Sequence, residues 1–271
     1  MTSDLESLYR FLEDNIIRFS NSQFIENDPI QIPKKFFKKQ DIEISAFLTA
    51  MISWGQRRSI INSAQRLLKL MEDEPYEFIL RFNETDHGLL KSFYYRTLNG
   101  QDLLFILSAL QLLYFEYADM EDVFYQCFSE TGNIMDGINC FRSLMLRVPH
   151  LPRSRKHLAD PASGSHAKRI LMFLRWMIRR DPFKVDLGIW TKFSPSVLVC
   201  PLDVNTGRAA RYLTLIKRKQ DDRKAAEELT ANLKLLDPKD PVRYDIALFN
   251  LGRPENKLLL AHAPLFSPSN V

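Results

Sequence analysis

Apolar positions recur along this chain with helical spacing, and the strict alternation that marks strands is scarce. Leu5, Leu8, Phe11, Leu12 and Ile16 share one face of a 3.6-residue spiral. Such a stripe can be buried while its polar flanks stay wet, so it predicts an amphipathic helix. Pro29 and Pro33 end that element, and the lysines and phenylalanines of 34–39 read as a basic connector. Asp41 is placed to cap a helix running through Ile44, Phe47, Leu48, Met51 and Ile52, which Gly55 interrupts. The next helix carries Ile60, Ile61, Ala64, Leu67, Leu68 and Met71, and Pro75 suits the first turn of a short one holding Phe78 and Ile79. After a break at Asn99-Gly100, helices are expected over 103–117, 121–128 and 134–146, the last two separated by Thr131-Gly132-Asn133.

Residues 148–165, with three prolines, a glycine and many polar side chains, read as loop. Helix resumes at about His166 and runs to Arg179, with Ile170, Leu171, Phe173, Leu174 and Met177 facing inward and Trp176 assigned to the core; Pro182 stops it. Later helices are expected over 204–213, 223–236 and 241–251, with Gly252 ending the last and a weakly patterned tail over 253–271. The chain therefore reads as all-α, with around ten helices. One helical domain is expected over 1–252. Helix content alone identifies no activity.

Composition narrows the class little: 26% charged and 45% hydrophobic residues in 271 are ordinary for a globular chain. No apolar run reaches the roughly 18 residues that span a bilayer, and the first residues carry no signal-peptide pattern. Cys127, Cys140 and Cys200 are scattered, which points to reduced thiols in a cytoplasmic protein and gives no zinc or iron–sulfur spacing. Net charge is only +4, but 151–184 holds nine lysines and arginines against Asp160 and Asp181, a local excess of seven. Such a block attracts phosphate backbones. It is equally a solvated helix face joined to a basic loop.

The run Pro201-Leu202-Asp203-Val204-Asn205-Thr206-Gly207-Arg208 puts a carboxylate at the start of a helix, where aspartate is a common cap. Together with Ala209-Ala210-Arg211 it resembles the proline–apolar–aspartate segment of helix–hairpin–helix DNA glycosylases. The stretch from Phe47 to Arg58, through Ser53-Trp54-Gly55-Gln56, is similar to their early helix and turn. The likeness extends from about Asp41 to Leu251, with only the Asp203 segment locally specific. The chain also resembles an uncharacterised bacterial family with a domain of unknown function (DUF2400-type). It departs from the glycosylase pattern at Asp160-Pro161-Ala162-Ser163-Gly164-Ser165-His166-Ala167-Lys168, where one glycine stands in place of a double-glycine hairpin. The archaeal 8-oxoguanine DNA glycosylase branch is similar in its degenerate hairpin and longer lysine-to-aspartate spacing.

By that resemblance Lys168 matches the lysine nucleophile in preference to Lys184, which follows Pro182 in a loop-like setting. Asp203 matches the catalytic aspartate. A neutral lysine amine can attack the anomeric carbon of a damaged nucleotide and form a Schiff base, and an aspartate can stabilise the cationic sugar. The target base must first leave the stack. The resemblance makes Gln56 a candidate for filling the vacated space. Arg57, Arg58, Arg169, Arg208 and Arg211 are candidates for DNA contacts, and Trp54 and Trp190 for base stacking. The blander readings are a surface lysine, a helix cap, a polar turn residue, exposed helix arginines and core tryptophans. The resemblance implies a two-lobed glycosylase-like fold, with 41–146 as the middle lobe, 1–40 joining 147–252 as the second and a cleft between them. It implies action on duplex DNA with a damaged base, oxidised guanine as first candidate, with abasic-site lyase activity. No metal, organic cofactor or membrane is implied. The rivals are a non-enzymatic nucleic-acid-binding protein of the same fold and a helical protein-interaction module.

Overall fold

The computed structural model describes residues 3–264, which form an all-α protein. Its α-helices are α1 (Ser3–Phe19), α2 (Ser22–Glu26), α3 (Lys39–Met51), α4 (Arg57–Leu70), α5 (Pro75–Arg81), α6 (His87–Lys91), α7 (Gly100–Glu116), α8 (Met120–Thr131), α9 (Ile134–Met145), α10 (Lys168–Ile178), α11 (Val204–Tyr212), α12 (Arg223–Lys234), α13 (Asp245–Leu251) and α14 (Lys257–Ala261). Strand among the described residues is limited to a two-residue antiparallel ladder, β1 (Tyr94–Tyr95) with β2 (Leu98–Asn99), pairing Tyr94 with Asn99 and Tyr95 with Leu98. No single helix among these is long and apolar enough to cross a membrane.

The chain divides into two compact units: residues 25–162, and the described residues through Phe24 together with those from Ser163 onward. In the 25–162 unit, α3 is the central element, with every residue from Ile42 to Met51 buried. A helix enclosed on all sides must satisfy its polar groups internally. Glu43 does so by accepting hydrogen bonds from Tyr114 Oη and the Met120 N–H, each at 3.0 Å. Helices α4 and α5 pack on α3, and α7 packs on α5, α6 and α9. Asn99-Gly100, read from sequence as a break, is the start of α7. The Asn99 side chain accepts from the Asp102 N–H, and the Asp102 side chain accepts from the Asn99 N–H, which satisfies two otherwise orphaned donors. Asp41 sits within the first turn of α3 instead of capping it, and its Oδ1 accepts from the Tyr76 N–H at 2.9 Å, tying the start of α5 to α3.

Helices α8 and α9 form a hairpin that turns through Gly132 in the left-handed region (φ 65°), with Asn133 capping α9. Folding the hairpin back brings Cys127 and Cys140 together, and they form a disulfide with a Cα–Cα distance of 5.5 Å. The expectation of three reduced thiols is therefore corrected: Cys200 alone is free, and it is buried. Spacing in sequence gave no hint, because the pairing depends on how two helices cross.

In the other unit α13 is the hub, lying against α1 and α11. Gly252 ends α13 with φ −76°, so it is not required by a left-handed cap. It is required by close approach, since a Cβ there would run into the Asn205 carbonyl oxygen at the start of α11. The helix expected over 241–251 is a short 3-10 turn, Pro241–Tyr244, followed by α13 proper. Helix α10 begins at Lys168, not His166, because Ala167 sits in the left-handed region (φ 50°) and breaks the spiral just before it. Gly164 supplies a second left-handed residue in the same connection, and its carbonyl accepts from the Arg223 N–H at the start of α12.

Candidate functional site

Asp203 caps α11. Its backbone is extended, and Oδ1 accepts from the N–H groups of Asn205 and Thr206, both at 2.9 Å. A cap of this kind needs only one carboxylate oxygen, and Oδ2 has no hydrogen bond within the described residues. Thr206 connects this cap to a second carboxylate: its hydroxyl lies 3.4 Å from Asp245 Oδ1. Asp245 opens α13 and is buried. Burial pushes its carboxyl up, Arg175 pulls it down, Asp203 pushes it up again and Lys168 pulls it down. Asp203, through Thr206, and the charge of Lys168 thus both bear on one buried carboxylate.

Lys168 is the first residue of α10 and half-buried. Its Nζ rests 3.6 Å from Met172 Sδ, one turn along the helix, and makes no ion pair among the described residues. Arg169, beside it, is also half-buried, and desolvation holds its guanidinium below the usual value. A cation at a helix N-terminus gains nothing from the dipole. The side chain that opens α10 is therefore a lysine held by a weak contact to Met172, its charge bearing on the buried Asp245. Lys184 occupies a different setting: it is exposed, with φ 55°, in the turn after Asp181.

Behind Asp245 runs a chain of buried charges that sequence reading missed. Arg175 donates to Asp245 and lies 3.1 Å from Asp186, while Arg179 donates to Asp186 at 2.9 Å and to Asp240 at 2.8 Å. The signal for it was present in α10. Arg175 sits four residues after Leu171 on the apolar face, and Arg179 four residues further, so the stripe demands that arginine go inside. Cations are buried only when paired, so acids had to be sought elsewhere in the chain. The count of charges over 151–184 stopped two residues short of Asp186 and far short of Asp240 and Asp245. That basic block is consequently not one open positive surface. In the other unit, Arg153 lies 3.2 Å from the buried Asp102, and Arg155 donates to His150.

The remaining candidates fall into three groups. Arg208 and Arg211 spend their donors within the unit: Arg208 on the Gly252 carbonyl, Arg211 on the Arg218 carbonyl at 2.9 Å and on Asp221 at 2.5 Å. Trp190 is 1% exposed and packed against Phe173 and Phe193, so the base-stacking expectation is corrected to a core role. Trp54, Gln56, Arg57 and Arg58 lie in the 25–162 unit, where Gln56 and Arg58 are exposed, Arg57 pairs with Asp28 at 3.4 Å and Trp54 is half-buried under Arg96. Among the described residues no cluster of three or more His, Cys, Asp or Glu side chains is arranged to hold a metal ion.

A family model described as protein of unknown function (DUF2400) matches residues 28–253. The chain belongs to the DUF2400 family. That match includes Lys168, Asp203 and Asp245, and every residue of the buried charge chain behind them. The chain matches no curated protein and no solved structure. For this DUF2400 member, chemistry must accordingly be argued from the site.

Proposed function

We propose that this protein is a DNA base-excision glycosylase with abasic-site lyase activity, built on a helix–hairpin–helix glycosylase-like fold, with oxidised guanine as the first candidate substrate. One observation carries the reading: Asp203, capping α11, is joined through Thr206 to the buried carboxylate of Asp245, on which the charge of Lys168, opening α10, also bears. A lysine without an ion-pair partner and a carboxylate with one oxygen unengaged are the two groups that base excision needs. In the reaction the neutral Lys168 amine attacks the anomeric carbon, and the bond from that carbon to the base breaks. The departing base takes a proton, and the sugar opens to an iminium on Lys168. The Asp203 carboxylate stabilises the cationic sugar along the way. Elimination of the 3′ phosphate from the iminium is the lyase step, and water then releases Lys168. The Asp245–Arg175–Asp186 chain fixes where α10 and α13 meet, and so holds the lysine in place.

The test is borohydride trapping on duplexes carrying an oxidised guanine or an abasic site. A covalent adduct is expected with the unaltered chain and with Lys184→Gln, and its loss with Lys168→Gln. Trapping that persists in Lys168→Gln overturns the assignment. Binding without any adduct would favour a nucleic-acid-binding protein that performs no excision.

A further inference from the structure

Helix α4 contains Arg57, Arg58, Arg66 and Lys69 and no acid. Arg58, Asn62 and Arg66 follow one another at four-residue intervals, so they share a face, and all three are exposed. The β1–β2 turn lies beside it. Arg66 donates to the Tyr94 carbonyl at 2.7 Å, and its guanidinium lies over the rings of Phe93 and Tyr94 at 5.1 and 5.5 Å. Tyr94 is 67% exposed, unusual for a ring that is otherwise free to be buried. Arg96, in the turn with φ 53°, covers the Trp54 ring at 4.5 Å, and Tyr95 Oη donates to the Trp54 carbonyl at 2.6 Å. Gly55, with φ 107°, lets Arg96 come in: a Cβ there would lie 2.9 Å from its guanidinium. Arg58, Arg66 and Arg96 form no ion pair with any carboxylate among the described residues.

We propose that the exposed face of α4 and the β1–β2 turn form a docking surface for a nucleic-acid strand, with phosphates on Arg58, Arg66 and Arg96 and an unpaired base on Tyr94. Eight residues of helix set Arg58 and Arg66 about 12 Å apart, far enough for each to meet a separate phosphate of one strand. Arginines already laid over aromatic rings are preorganised to meet phosphate, and rings exposed beside them can take a base face. An acidic protein surface would use the charges but would leave Tyr94 without a role. This surface stands whether or not Lys168 performs the excision chemistry.

The test uses the full chain and a fluorescein-labelled, undamaged oligothymidylate, with anisotropy read across a salt series. Affinity should fall as salt rises, and the slope of log affinity against log salt should become shallower by about 1.4 in the Arg66→Gln/Arg96→Gln double variant. Tyr94→Ala should weaken binding about five-fold or more, and Tyr94→Phe should retain it. Arg81→Gln, which removes an exposed arginine paired with Glu72, should leave binding unchanged. The proposal is overturned by salt-insensitive or absent binding, by an unchanged slope in the double variant, or by an unchanged affinity in Tyr94→Ala. It is also overturned if polyglutamate is bound as tightly as the oligonucleotide. Lys168→Gln should lose trapping and keep this binding, so the two readings fail separately.

Discussion

Helices α4 and α10 have the same signature in sequence: three or more cations, no acid and an apolar stripe. Their fates in the fold are opposite. On α10 the arginine at the centre of the stripe is buried and meets Asp186 and Asp245, one of them seventy residues away. On α4, Arg58 and Arg66 lie away from the stripe and stay in water, and Arg66 rests over the rings of Phe93 and Tyr94 with no carboxylate partner among the described residues. The difference shows that a basic run produces an external field only where its cations lie off the buried face. The same residue type stabilises the interior in one helix and is available to a partner in the other.

The largest effect that separates the two helices should come from Arg175→Met. Removing it leaves Asp186 with only Arg179 and leaves Asp245 unpaired in the interior, so folding stability should fall by about 3–5 kcal/mol in urea denaturation. A loss below about 1 kcal/mol would show that the buried chain is not what holds α10 and α13 together. Next comes Asp203→Ala, which should cost about 1 kcal/mol through the lost cap. Asp203→Asn keeps the cap and should keep stability while trapping on abasic DNA falls; equal trapping in both would reduce Asp203 to a structural role.

A third effect concerns acid response, and the signs differ between units. Asp102, in the 25–162 unit, is pushed up by burial, but hydrogen bonds from Ser154 and the Asn99 N–H, with the charges of His157 and Arg153, hold it below the usual carboxylate value. The folded state therefore binds its proton more weakly than the unfolded chain. Its contribution is full above the ordinary value and disappears as pH falls through the lowered one. Asp240 is held above the usual value, chiefly by burial and against the pull of Arg179. The folded state binds that proton more tightly, and its contribution diminishes as pH rises from the ordinary value through the raised one. Denaturation between about pH 3 and pH 6 should show Asp102→Asn and Asp240→Asn tilting the stability profile in opposite directions; parallel tilts would contradict the assignment. The smallest effect belongs to α4, where Arg66→Gln should change stability by no more than about 0.5 kcal/mol, because its charge is exposed and unpaired.

Much of the local architecture was legible. The helical stripes of α1, α3, α4 and α7 needed no partner to be read, and Asp203 announced itself as a cap by preceding Val204 at the start of an apolar-periodic run. What was not legible depended on distance along the chain. Nothing near Asp245 in the sequence marks it, because its partners Thr206 and Arg175 lie 39 and 70 residues away. Trp190 lies near expected turns and reads as a stacking candidate, yet Phe173 and Phe193 pack against it in the core. Gly252 looked like a helix terminator and proved to be a point of backbone contact.

The sequence by itself determined the helical class, the positions of most helices and the family, because backbone geometry repeats every 3.6 residues and writes itself into the order of apolar side chains. Only the tertiary structure decided which charges are neutralised and which remain outside, and which cysteines pair. Those outcomes depend on proximity and desolvation between residues as far apart as Arg175 and Asp245, and no short-range pattern encodes them.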